Sequence, residues 1–193
     1  MKKMMIMLIM ATVALTASAQ KTLRDNGTFT LQPKAGIGMG YISGSFKGGW
    51  DPKAKFGFVG GIEGEYYMGE WFSAALGVNY AQQGWKMDQG SSTVTTSLNY
   101  LNLPVVANFY VAQGLALKTG FQVGFLMSAE DGGHDAKDIC ESTAFAIPVG
   151  VSYEISNVVL DFRYNIGITA INKAGDSQRS DLIQFTVGYK FEL

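Results

Sequence analysis

Nine ionisable residues share one property. Lys34, Glu63, Glu65, Lys118, Glu154, Asp161, Arg163, Lys190 and Glu192 each fall on the polar phase of a segment in which apolar and polar residues alternate. Four cations and five anions brought to one side of their strands can pair off as a plug, or they can form a proton or ion path. A second group surrounds the only histidine: Glu130, Asp131, Asp135, Asp138 and Glu141 lie close in sequence to His134. Acidic oxygens are hard ligands for a divalent cation. Their spacing is irregular, however, and there is no second histidine, so no metal-binding or catalytic residue and no cofactor is assigned, and no enzymatic activity is expected. Gly36-x-Gly38-x-Gly40 has the glycine spacing of a dinucleotide turn, but it sits inside an alternating segment with no helix after it, which leaves it the role of making room. Cys140 is the single cysteine, so no intramolecular disulfide framework exists.

The elements that would position the nine charges are strands. In the last twelve residues Ile183, Phe185, Val187, Tyr189, Phe191 and Leu193 alternate with Gln184, Thr186, Gly188, Lys190 and Glu192, which describes a strand with two different faces. Seven more such segments precede it, near Thr30–Ile42, Lys55–Tyr67, Trp71–Lys86, Ser97–Val111, Leu115–Ala129, Thr143–Ile155 and Val158–Thr169. Their connections alternate in length. Met68-Gly69-Glu70, Ala112-Gln113-Gly114 and Ser156-Asn157 are tight, whereas Ser43–Ala54, Met87–Thr96, Glu130–Ser142 and Ala170–Asp181 are longer and polar. Short turns at one end and long loops at the other predict an all-β fold, an eight-stranded antiparallel up-and-down transmembrane β-barrel with its tight turns facing the periplasm.

A secreted lipocalin-like barrel would alternate too, with its apolar face inward. The quality of the polar face decides between the two. In the sixth segment it carries Ala144, Ala146, Pro148, Gly150, Ser152 and Glu154, which suits a narrow lumen better than a wet exterior, while Phe145, Ile147, Val149, Val151, Tyr153 and Ile155 are bulky and suit lipid. On this phase Gly150→Ala is expected to cost about 1 kcal/mol or less if the lumen has slack. Aromatic girdles follow: Tyr66, Phe72, Phe109, Tyr153, Tyr189 and Phe191 toward the periplasm, and Phe56, Phe58, Trp85, Phe125 and Phe145 toward the outside.

The N-terminus reads as an address. Lys2 and Lys3, an apolar run from Met4 to Leu15, and Ala17-Ser18-Ala19 fit a secretory leader over residues 1–19. The expected organisation is this signal peptide, a short periplasmic segment at 20–29 and a barrel domain at 30–193. Without the leader's two lysines, 13 Lys and Arg face 16 Asp and Glu, a charge of −3, which argues against nucleic acid as a partner. Gly is abundant at 24 and Pro scarce at 4, in keeping with an all-β chain.

Tyr100-Leu101-Asn102-Leu103-Pro104-Val105, Phe109-Tyr110-Val111, and Gly120-Phe121-Gln122-Val123-Gly124-Phe125-Leu126 together resemble the PorT-like family of small outer-membrane β-barrel proteins. Ile147-Pro148-Val149-Gly150-Val151-Ser152-Tyr153-Glu154, Asp161-Phe162-Arg163-Tyr164-Asn165-Ile166-Gly167 and Val187-Gly188-Tyr189-Lys190-Phe191 extend the likeness over nearly the whole mature chain. This chain departs from the pattern by ending in Leu193 rather than on the aromatic. The resemblance implies a cell outer-membrane barrel and, for the family's namesake, a part in protein export. The functional expectation is a monomeric barrel in outer-membrane lipid with a structural or interaction role toward an envelope or secretion-machinery protein. The alternatives are a membrane-embedded barrel enzyme acting on lipid or peptide, and the lipocalin-like ligand binder.

Overall fold

Wherever the chain alternates, it is extended. The computed structural model describes residues 24–43, 53–89, 92–171 and 178–193; the leader at 1–19, residues 20–23, and most of the Ser43–Ala54 loop lie outside them. Eight long strands make the barrel: β1 (Phe29–Ser43), β2 (Lys53–Tyr67), β3 (Phe72–Gln89), β4 (Ser92–Ala112), β5 (Leu115–Asp131), β7 (Thr143–Ile155), β8 (Val158–Gly167) and β9 (Arg179–Tyr189). Two short pieces complete the set: β6 (His134–Asp135), which pairs with the end of β5, and β10 (Phe191–Glu192), which continues β9 after a break at Lys190. Each long strand pairs antiparallel with the next, and β1 pairs with both β9 and β10, so the ring is closed. Closure satisfies every strand edge, which lipid requires.

The strand prolines explain where the ladder lapses. A proline has no N–H to give. Pro104 sits where β3–β4 pairing lapses between Leu76↔Val105 and Asn79↔Asn102, and Pro148 where β5–β7 pairing lapses between Thr119↔Val149 and Gln122↔Ala146, with the register unchanged across each gap. Pro33 faces the break at the seam: Leu31 pairs with Phe191 and Lys34 with Gly188, leaving Lys190 between the two runs. On the opposite side of the last strand the turn after β7 extends the β8 ladder past Val158↔Tyr189, because Lys190 N–H donates to the Asn157 carbonyl at 2.8 Å and Asn157 Nδ2 donates back to the Lys190 carbonyl at 2.8 Å. At the tight turns Gly114 and Ser156 supply the left-handed backbone, with φ of 74° and 58°.

The two faces are as the alternation predicts. Ile37, Leu76, Val105, Phe121 and Phe162 are exposed on the outside, while Thr30, Gln32, Lys34, Glu63, Asn79 and Arg163 are buried within. Tyr66, Tyr153, Tyr189 and Phe191 are exposed at the periplasmic end, and Phe72 packs against Phe109 beside Trp71. At the other end Phe56, Phe58 and Phe125 are exposed. Trp85 corrects the outer girdle. Its odd position on β3, in phase with the buried Ser73, Ala75, Asn79 and Gln83, turns it into the lumen, where it is 9% exposed. The connection expected at Met87–Thr96 is also shorter, since β-branched Thr93, Val94, Thr95 and Thr96 prolong the hairpin to Gln89↔Ser92.

One substitution needs a different estimate. An added Cβ at Gly150 would lie 2.4 Å from the Phe162 carbonyl oxygen, a backbone atom that cannot swing aside. Gly150→Ala should therefore cost about 1–3 kcal/mol through overpacking. Val149 lies on the lipid phase of the same strand, and Val149→Arg should cost about 2–4 kcal/mol, as cations do near a bilayer midplane. Urea unfolding in lipid vesicles measures both, and a Val149→Arg barrel as stable as its parent would mean that this face does not meet lipid.

Candidate functional site

Most of the predicted inward charges meet in two layers of the lumen, both in its periplasmic half. In the deeper layer Glu63 on β2 receives Lys34 from β1 at 2.7 Å and the Arg163 guanidinium from β8 at 2.8 Å, with a second Arg163 contact at 3.3 Å. Arg163 also holds Asp161 at 2.9 Å, and Lys118 from β5 closes on the same carboxylate at 2.6 Å. The Arg163 and Asp161 side chains are fully buried. Nothing bulkier fits between: Gly77 faces Glu63, and a Cβ there would come within 2.5 Å of the Glu63 Cγ.

Below, toward the periplasm, Lys190 is the hub. Placed inward by the same alternation that buries Gln184, Thr186 and Gly188, its Nζ lies 2.8 Å from Glu65, 2.8 Å from Glu154 and 2.7 Å from the Tyr67 hydroxyl. Glu65 further accepts from Tyr110 OH at 2.7 Å, from Asn108 Nδ2 at 2.8 Å and from the Ser73 hydroxyl. The rings of Tyr67 and Tyr110 flank the ammonium, at 5.3 and 6.0 Å from centroid to Nζ, close enough for a cation–π contribution.

Sequence reasoning placed Glu192 in this set. The structure moves it to the rim, its side chain 57% exposed, because it stands at the periplasmic mouth, where the lumen gives way to water. Its partner is Arg24, at 3.3 Å, which also reaches Glu154 at 3.0 Å. Arg24 precedes the first strand, so no alternation marked it. Tyr67 and Tyr110 were not assigned to this set either, although each lies two residues beyond an inward polar position, Glu65 and Asn108 respectively, and that phase marks both as inward.

Toward the outside the lumen changes character. A tier of amides, Asn79, Asn102, Gln122, Asn165 and Gln184, is buried above the charges. Above it Ile42, Trp85, Leu98, Tyr100, Leu126 and Ala129 form an apolar cluster with Ala136, Cys140 and Ile171, which come from the loops. The loops are tied across it: Glu141 N–H donates to the Ile171 carbonyl at 2.8 Å and Ala136 N–H to the Ala129 carbonyl at 2.9 Å. A cavity of about 20 Å³ between amides and cluster is large enough for about one water molecule. His134 and Asp135 are exposed on β6, and no group of three metal-ligand side chains comes together among the described residues. Gly36 and Gly40 line the wall where backbone of other strands approaches, and Gly38 makes room for the Leu182 and Val59 side chains; an added Cβ at Gly36 would meet the Phe185 carbonyl at 2.0 Å.

A closed ring of eight antiparallel strands, apolar outside and charged within, defines an outer-membrane β-barrel protein. The chain belongs to the outer membrane protein beta-barrel domain family, whose model matches residues 7–191. Among solved structures it is similar to Neisserial surface protein A (NspA), with 23% identity over 84% of this chain and 97% of that one and a TM-score of 0.56. Ail, the attachment invasion locus protein of Yersinia pestis, is similar at 14% identity over 86% and 99% of the two chains, with a TM-score of 0.50. Both likenesses concern the fold. A comparison with curated protein sequences finds no match.

The deeper layer sets three cations, Lys34, Lys118 and Arg163, against two carboxylates, Glu63 and Asp161. This imbalance makes its variants unequal. Glu63→Gln leaves two surplus buried cations and should cost about 3–5 kcal/mol, whereas Lys34→Met leaves a balanced set and should cost less than about 2 kcal/mol. Unfolding in lipid vesicles compares the two, and equal losses would contradict the charge arrangement.

Proposed function

We propose that this protein is a non-enzymatic, non-conducting barrel that acts through its loops and rims, as a structural or interaction component of the cell envelope. One observation carries the reading: the lumen is filled along its length, by paired charges, then amides, then an apolar cluster that includes loop residues Ala136, Cys140 and Ile171. A filled lumen leaves the surfaces beyond the membrane as the place to meet a partner. The absence of an assigned reaction follows from the residues. An acyl-transfer or hydrolytic centre needs a nucleophile, a base and an orienting group converging on one point, and His134 stands exposed on β6.

The chain reaches the outer membrane, in this proposal, through cleavage of a signal peptide at residues 1–19, and it works as a monomer, since a single chain closes the ring without help. The motifs from Tyr100 to Phe191 support placement in the PorT-like subset and, with it, a partner in the envelope or secretion machinery. A link to export rests on that resemblance alone.

Four measurements test the proposal. Refolded protein should migrate differently on a gel before and after boiling, and in planar bilayers it should give no steady single-channel current, because eight strands leave no open bore around the paired charges. Large stable currents would overturn the sealed-lumen reading. Crosslinking in intact envelopes should capture an envelope protein through the loops or the periplasmic rim, and turnover of lipid or peptide by the pure barrel would transfer the proposal to an enzyme.

A further inference from the structure

One guanidinium stands in the periplasmic mouth of the barrel, and it comes from ahead of the first strand. Arg24 is brought there by a reverse turn in which Thr28 N–H donates to the Asp25 carbonyl at 3.2 Å. Gly27, third in that turn, has φ of +89°, the left-handed backbone that a type II turn needs at this position. An added Cβ would meet nothing within 4 Å, so conformation rather than space calls for the glycine. The turn hangs from the end of β2, where Gly27 N–H donates to the Tyr67 carbonyl at 2.8 Å and Tyr67 N–H to the Thr28 carbonyl at 3.0 Å.

Two carboxylates receive the guanidinium, and they differ. Glu154 is buried; its Oε1 meets Arg24 Nη2 at 3.0 Å, while its Oε2 meets Lys190 Nζ at 2.8 Å. Glu192 stands on the rim with 57% of its side chain exposed, and its Oε2 lies 3.3 Å from Arg24 Nη1. If Arg24 leaves, the buried carboxylate keeps Lys190, so release avoids the large penalty of an orphaned buried charge. The contact with Glu192 is also weaker than arginine can make. Charge-assisted bonds of this kind run about 2.7–2.9 Å, and a guanidinium binds a carboxylate best through two parallel N–H groups. Arg24 adjoins the first residue of its turn and spreads its fork over two carboxylates instead. An arginine free of that turn can set both N–H groups on Glu192 from the open, periplasmic side.

We infer that Glu154 and Glu192 form an exchangeable guanidinium seat, occupied by Arg24 in the isolated chain, at which an arginine in an extended segment of a periplasmic partner docks in its place. This rests on the reading of the rims as interaction surfaces and supplies the chemistry of one of them.

Fluorescence anisotropy of a labelled pentapeptide with a central arginine, added to the refolded barrel in detergent, tests the seat, with citrulline and lysine versions of the peptide as controls. A seat filled by its own chain more than about nine-tenths of the time weakens a competitor about tenfold, so Arg24→Ala should bind the arginine peptide about tenfold more tightly than the parent. Gly27→Ala keeps every charge but strains the turn, and it should tighten binding severalfold. Adding Glu192→Gln to Arg24→Ala should remove most of the gain, whereas adding Glu70→Gln, on the neighbouring turn, should leave it. The citrulline peptide should not bind, and the lysine peptide should bind less well because it lacks the fork. Gel shift on boiling verifies folding, and Gly27→Ala carries the test if Arg24→Ala does not refold. Equal binding by the parent, Arg24→Ala and Gly27→Ala, or equal binding of the arginine and citrulline peptides, would overturn the seat. Either result would leave an interaction role through the loops standing, whereas peptide binding that follows this pattern upholds the seat even if crosslinking in envelopes captures no partner.

Discussion

A backbone amide in hydrocarbon has no water to bond to, and the rest of this molecule follows from that. Eight strands can satisfy their N–H and C=O groups only by closing on themselves, which they do where β1 meets β9 and β10. Closure at eight strands fixes a lumen just wide enough for side chains. Whatever points inward must then fill the space and satisfy itself. The ion pairs, the tyrosine hydroxyls around Lys190 and the glycines that let neighbouring backbone approach are answers to that single requirement.

The seam is the weak point of such a ring, and the charges reinforce it. Pro33 cannot donate, so pairing lapses between Leu31↔Phe191 and Lys34↔Gly188 where the first and last strands join. Beside it the alternation of the last strand points Lys190 inward onto Glu65 of β2 and Glu154 of β7, and Arg24 ties Glu154 to Glu192. A broken rung is thus offset by ion pairs that span the ring. Buried pairs contribute little net stability relative to apolar packing, but removing one partner is costly. Their effect here is to make one closed arrangement far better than its open or slipped alternatives.

Much of this was legible in the residues. Strict alternation in Leu182–Leu193 and Thr143–Ile155 marked both faces, and the boundaries of β7 match the expected segment. Eight of the nine predicted inward charges are buried, and the polar phase of small residues distinguished lumen from wet exterior. What escaped did so for physical reasons. Arg24 acts from outside any periodic segment. Trp85 misled because a bulky aromatic near a strand end suggests a girdle, although its parity with Asn79 and Ala81 places it inside. The outer apolar cluster depends on Ala136, Cys140 and Ile171 folding back from loops, which no strand period describes. The bulge between Ala54 and Val59 reverses the phase of Lys53 beyond it, and a single inserted residue is invisible to a count of alternations.

Amide hydrogen exchange in lipid nanodiscs tests most directly whether the ring is closed around a filled lumen. A closed ring predicts that amides of Ala35–Tyr41 on β1 and Leu182–Gly188 on β9 are protected as strongly as those of the β3–β4 ladder. It also predicts that Glu65→Gln lowers protection at the seam before it affects β3 or β4. Seam amides that exchange as fast as the loop residues around His134 would contradict it, because the sheet would then have an edge in the bilayer.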